Sequence, residues 1–87
     1  MVWTLEVSDR ARKQFRKLDS RLADRITLGM LDIAAQENPR LRGKAMAGHL
    51  AGYWRYRFGD YRVIARIEDD RVVIVVVALG HRRDVYR

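Results

Sequence analysis

The sequence predicts a small α+β fold: an N-terminal strand, an α-helical hairpin, then a three-stranded antiparallel meander with the helices packed on one sheet face. Three observations carry that expectation. Between Ala11 and Ala34 the apolar residues recur at helical spacing. From Tyr53 onward they alternate as in strands, with turn residues at Gly59–Asp60 and Asp69–Asp70. The run "VVIVVVAL", Val72 to Leu79, is apolar on both faces and rich in β-branching, as an interior strand requires. A chain of 87 residues fits a single domain, 1–87.

In chain order, Val2, Thr4 and Glu6 alternate with Trp3, Leu5 and Val7, the period of a short half-buried strand. Ser8 offers an N-cap hydroxyl, and Asp9 suits the positive end of a helix. Ala11, Phe15, Leu18 and Leu22 form one apolar stripe, while Arg10, Arg12, Lys13, Arg16 and Lys17 occupy the opposite face. Asp19 and Ser20 are cap residues and mark a break between two helices. The second stripe is Leu22, Ile26, Met30 and Ile33, and Pro39 closes the segment. Arg40 to Gly52 lacks a sustained period and is expected to be a connecting loop, with Leu41, Met46 and Leu50 as anchors and Arg40, Arg42 and Lys44 making it basic.

Gly59–Asp60 suits a two-residue hairpin loop with glycine first. Arg57 then faces Arg62, Arg55 faces Ile64 and Tyr53 faces Arg66, so Arg55, Arg57, Arg62 and Arg66 share one open face. Trp54, Tyr56, Phe58, Tyr61 and Val63 turn to the helices. With Asp69–Asp70 as the next loop, Arg62 is expected opposite Val77 and Ile64 opposite Val75. Continued alternation brings His81 to the same open face, beside Arg57, Arg62 and Arg82. Directly opposed like charges cost up to about 1 kcal/mol, and such local violations mark functional sites. A guanidinium fork suits phosphate. Asp60, Glu68 and Asp84 are the acids that could pair with these arginines, too few to neutralise them all. Tyr53 and Tyr86 are the tyrosines placed to stack on bases.

Eighteen Lys and Arg against eleven Asp and Glu give a net charge of +7, which points to a polyanionic partner or, more simply, to a solvated basic surface. Without cysteine, and with His49 and His81 the only histidines, neither a disulfide nor a metal-ligand motif is available. No cofactor and no metal are expected. His49 falls in the loop and is assigned to the surface. The N-terminus lacks a signal-peptide core, and no apolar run approaches the roughly 20 residues of a spanning helix. A cytoplasmic protein without a membrane partner is expected.

The helix "DRARKQFRKLD", the loop "LRG", the hairpin "GDYRVI" and the terminal "GHRRDVY", in this order, resemble the RelE family of bacterial toxins, within the RelE/ParE superfamily, over essentially the whole chain. The resemblance implies a RelE-like fold with a curved sheet. It implies a ribosome-dependent mRNA endoribonuclease, cutting in the A site by metal-free attack of the ribose 2′-hydroxyl, and a RelB-like antitoxin that holds it inactive in a hetero-oligomer. Carried over by motif, Arg55 and Arg57 stand for two strand lysines, Arg62 for a strand arginine, Arg82 for a terminal arginine and Tyr86 for a terminal tyrosine. Arginine is a poor general base, whereas an imidazole exchanges protons near neutral pH; the YoeB relatives of RelE use a terminal histidine and tyrosine. The expected catalytic set is therefore Arg57, Arg62, His81, Arg82 and Tyr86. Arg55, Arg66, Tyr53, Arg40, Arg42, Lys44 and Arg83 form the expected RNA-binding surround. Alternatively, His81 caps the strand end. RelE carries a further helix beyond the matching tyrosine, so an antitoxin is expected here to cover the basic face instead. Two other functions fit the chain: a ParE-type inhibitor of DNA gyrase, and an RNA-binding module without chemistry.

Overall fold

The computed structural model describes residues 2–84. Its elements are β1 (Thr4–Val7), α1 (Asp9–Arg16), α2 (Ser20–Ala34), β2 (Lys44–Ala45), β3 (Tyr53–Phe58), β4 (Tyr61–Glu68) and β5 (Val73–His81). Short 3₁₀ turns at Pro39–Arg42 and Gly48–Leu50 flank β2. The strands form one five-stranded sheet in the order β1-β5-β4-β3-β2. β1 runs parallel to β5, and the other neighbours are antiparallel.

The predicted helix ends are present. Ser8 Oγ accepts from the Ala11 amide at 3.1 Å, and the Asp19 carboxylate accepts from the Arg21 amide at 3.2 Å. Each satisfies a donor that the first helical turn leaves without an intrahelical partner. Ala11 of α1 and Ile26, Met30, Ile33 and Ala34 of α2 close over Tyr56, Val63, Ala65, Ile74, Val76 and Leu79 on one sheet face. Trp3, Trp54 and Tyr61 pack at its margin. The opposite face carries a smaller apolar cluster, Ile64 and Ala78 with Met46, Tyr53 and Val77 around them. That leaves it open to charged residues.

A glycine sets the distance between the layers. A Cβ on Gly29 of α2 would stand 2.2 Å from Cε1 of Phe58, the last residue of β3. Gly29→Ala is therefore expected to destabilise the protein by roughly 1–3 kcal/mol through overpacking, although alanine is the better helix former. Urea denaturation measures the change.

The β3–β4 register is the predicted one, with Arg57 opposite Arg62 and Tyr53 opposite Arg66. Gly59 has φ 59°, as the first residue of such a turn requires. Three expectations are corrected. The basic loop contains an edge strand, because Lys44 and Ala45 pair with Arg55 and Trp54. Leu41 is no anchor, being 80% exposed. The β4–β5 register also differs: Arg62 lies opposite Gly80 and Ile64 opposite Ala78, where Val77 and Val75 were expected. Two features cause this shift. The connection runs over residues 69–72, with Val72 at φ 55°, a region β-branched residues rarely enter. The pairing then skips Val77, since Ile64 pairs with Ala78 and Ala65 with Val76. This bulge reverses the alternation of the strand end. His81 consequently lies opposite Tyr61, on the helix-side face, and not among the open-face arginines.

Candidate functional site

The open face is divided electrostatically. At one end, Arg71 pairs with Glu6 at 2.9 Å and Glu68 at 2.6 Å, and Arg66 pairs with Glu68 at 2.9 Å. These two guanidinium groups, Arg71 first, hold the Glu68 carboxyl below its ordinary range. Arg40 makes two hydrogen bonds to Asp69, at 3.0 and 2.6 Å, and lies over the Trp54 ring at 5.8 Å. Its guanidinium lowers the Asp69 pKa in turn. Arg42 pairs with Asp32. Three predicted RNA contacts, Arg40, Arg42 and Arg66, are thus engaged within the protein.

Around the Gly59–Asp60 turn the situation is reversed. Arg55, Arg57, Arg62 and Arg82 form no ion pair among the described residues, nor does Lys44, which faces Arg55 from β2. Arg57 and Arg62 form the second pair back from a two-residue turn, a position where facing side chains stand closest. Their repulsion is met locally. Arg62 Nη1 leans toward the turn and donates to the Gly59 carbonyl at 3.2 Å and the Tyr61 carbonyl at 3.4 Å, while Arg57 is left exposed. The tail is tied to the same turn, because the Arg82 amide donates to the Asp60 carbonyl at 2.7 Å.

Sequence reasoning missed Arg25. Its Nη1 lies 4.0 Å from where a Cβ on Gly59 would stand, so α2 adds a further cation to the rim of the hairpin. The sequence signal was its position on the second helix, at the border of the apolar stripe one turn after Leu22.

His81 lies at the same end of the sheet as this cluster but on the helix-side face, opposite Tyr61. Its ring meets Tyr61 edge-to-face, with centroids 5.7 Å apart and planes at 80°. Nδ1 accepts from the Arg83 amide at 3.3 Å. That bond assigns the proton of the neutral ring to Nε2 and leaves Nε2 as the edge available to a ligand. The strand-end role considered for His81 therefore exists, although its partner is an amide and not a carbonyl. Tyr53 is half-buried in the open-face apolar patch. Tyr86 lies outside the described residues. His49 is exposed in the second 3₁₀ turn. No group of three or more His, Asp or Glu able to hold a metal ion occurs among the described residues, and no described helix is long and apolar enough to cross a membrane.

Guanidinium groups without a carboxylate partner among the described residues, gathered at the rim of a hairpin, form an anion site, and an imidazole with one open edge stands at the same end of the sheet on its other face. Comparison with known proteins gives the family. The family model for the ParE toxin of type II toxin–antitoxin systems matches residues 5–86. The chain belongs to this family. Toxin RelG of Mycobacterium tuberculosis is 33% identical over 88 residues, covering 100% of this chain and 99% of RelG. The mRNA interferase toxin RelE of Escherichia coli is 28% identical over 83 residues, or 94% of this chain and 85% of that protein. Among solved structures, the M. tuberculosis RelBE2 toxin–antitoxin complex superposes with a TM-score of 0.86 at 28% identity, over 97% of this chain and 95% of its own. A double arginine mutant of E. coli RelE in the free state gives 0.78 at 24% identity, over 93% of this chain and 84% of its own, and shows the shared fold. The protein is a RelE-family toxin with the α+β architecture of that family.

Proposed function

We propose that this toxin is a ribosome-dependent mRNA endoribonuclease whose scissile phosphate binds at the hairpin rim. The carrying observation is the set of cations around Gly59–Asp60 that have no carboxylate partner among the described residues. Arg57, Arg62 and Arg82 would take the charge that builds on the phosphoryl oxygens as the 2′-oxygen attacks phosphorus. The P–O5′ bond breaks, leaving a cyclic phosphate and a 5′-hydroxyl, and no metal is needed. Protonated at Nδ1 in place of the Arg83 amide bond, His81 would give its Nε2 proton to the departing O5′, and the 2′-hydroxyl proton would pass to water. Tyr86 follows on the same tail as a second proton-handling group. Arg55, Lys44, Arg83 and Tyr53 would hold the flanking nucleotides, while Arg40, Arg42 and Arg66 remain in their ion pairs and brace the sheet.

The partner proposed is an acidic RelB-like antitoxin covering the cationic rim. The solved complexes of relatives with antitoxins support this. The names of the curated relatives support mRNA cleavage. A second function has its own support, since the matching family model is that of ParE: inhibition of DNA gyrase without cleavage. Assaying one preparation for cleavage of mRNA on ribosomes and for loss of gyrase supercoiling separates them. Cleavage alone is expected, and supercoiling inhibition without cleavage would replace this function with the second.

A further inference from the structure

The irregular end of β5 is held from outside the sheet. β1 accompanies β5 only as far as Val7 opposite Val76, because the chain turns into α1 at Ser8. Beyond that point no strand among the described residues lies along the outer edge of β5. The N-cap Ser8 and the Gln14 side chain of α1 take the strand's place. The Ser8 amide donates to the Val76 carbonyl at 2.9 Å, Ser8 Oγ donates to the Val77 carbonyl at 3.1 Å, and the Leu79 amide donates to Gln14 Oε1 at 2.7 Å. The Val77 carbonyl and the Leu79 amide are odd-numbered groups. Regular alternation from Val76 would instead turn residues 78 and 80 to that edge. Both bonds therefore require the bulge at Val77, and the bulge is what carries His81 to the Tyr61 side. An edge amide without an acceptor is costly to bury, so Gln14 favours the bulged register over the regular one.

We propose that Gln14 is a positioning residue for the rim site: by accepting from the Leu79 amide it holds the strand end in the register that places His81 against Tyr61. Its consequence for catalysis rests on the endoribonuclease function proposed above, whereas its consequence for His81 does not.

The test compares Gln14→Met, close in shape but without the acceptor, with Gln14→Glu, which keeps an acceptor oxygen. In Gln14→Met the Leu79 amide is expected to exchange with solvent about tenfold faster, as loss of one hydrogen bond implies. The His81 ring protons, which sense the ring current of Tyr61, should shift toward the positions of an unstacked histidine. Gln14→Glu should restore both. On ribosome-bound mRNA, Gln14→Met should lower the maximal cleavage rate about tenfold with KM little changed, because the binding cations are untouched. Unchanged Leu79 exchange and His81 shifts in Gln14→Met would overturn the proposal, and so would a full cleavage rate despite moved His81 shifts. A wild-type chain that cuts no RNA would remove the endoribonuclease function, and the two NMR measurements would then decide the role of Gln14 by themselves.

Discussion

Arg62→Ala is expected to slow mRNA cleavage by about 10²–10³-fold, the loss typical of removing one donor to a developing oxyanion. The fold should survive. Among the described residues the guanidinium bonds to the Gly59 and Tyr61 carbonyls and to no carboxylate, and its removal relieves the repulsion with Arg57. Stability should therefore change by less than about 0.5 kcal/mol. Arg62→Lys should recover little activity, since a point charge does not reproduce the two-pronged contact of a guanidinium with phosphate. Single-turnover cleavage alongside thermal melting checks both halves. A large loss of melting temperature would mean that Arg62 is structural.

Tyr56→Ala is expected to have the largest effect on stability, about 3–5 kcal/mol as for other large core aromatics. Tyr56 is 1% exposed, and its hydroxyl donates to the Pro39 carbonyl at 2.7 Å. It thereby ties β3 to the turn leading into β2. Tyr56→Phe isolates that bond and should cost roughly 1–3 kcal/mol, because a buried carbonyl loses its donor. Burial pushes the Tyr56 phenol up to about 12, with nearby Arg40 acting in the opposite sense. The sign of the pH dependence follows. Between the ordinary tyrosine value near 10 and the raised one, the unfolded chain releases the proton and the folded chain keeps it. Stability is fully present below about pH 10 and falls by roughly 2–3 kcal/mol as pH rises to about 12. Urea midpoints across that range should show this added slope in the wild type and not in Tyr56→Phe.

Most of the architecture was legible because each element carried its own local signal. Ser8 and Asp19 announced the helix starts, the stripes from Ala11 to Ile33 fixed the buried faces, and Gly59–Asp60 fixed the register that sets Arg57 against Arg62. What was not legible depended on long-range pairing. Lys44 and Ala45 form a strand only because β3 offers them an edge, and two residues carry no period. Val72 is a strand former held in a turn, which disguised the length of that connection. The bulge at Val77 is stabilised by Ser8 and Gln14, both more than 60 residues away in sequence. The site shared this fate. The unpaired arginines of the hairpin followed from alternation, but His81 was sent to the wrong face by the missing bulge. The inclusion of Arg25 required knowing how α2 crosses the hairpin tip.

The most direct test of the proposed chemistry is primer extension on a ribosome-bound mRNA with an empty A site, with and without a 2′-deoxy substitution in the A-site codon. A cut within that codon, ending in a cyclic phosphate and absent from the 2′-deoxy message, is the predicted result. No cut on the all-ribose message, or equal cutting of the substituted one, would contradict attack by the 2′-oxygen at the hairpin rim.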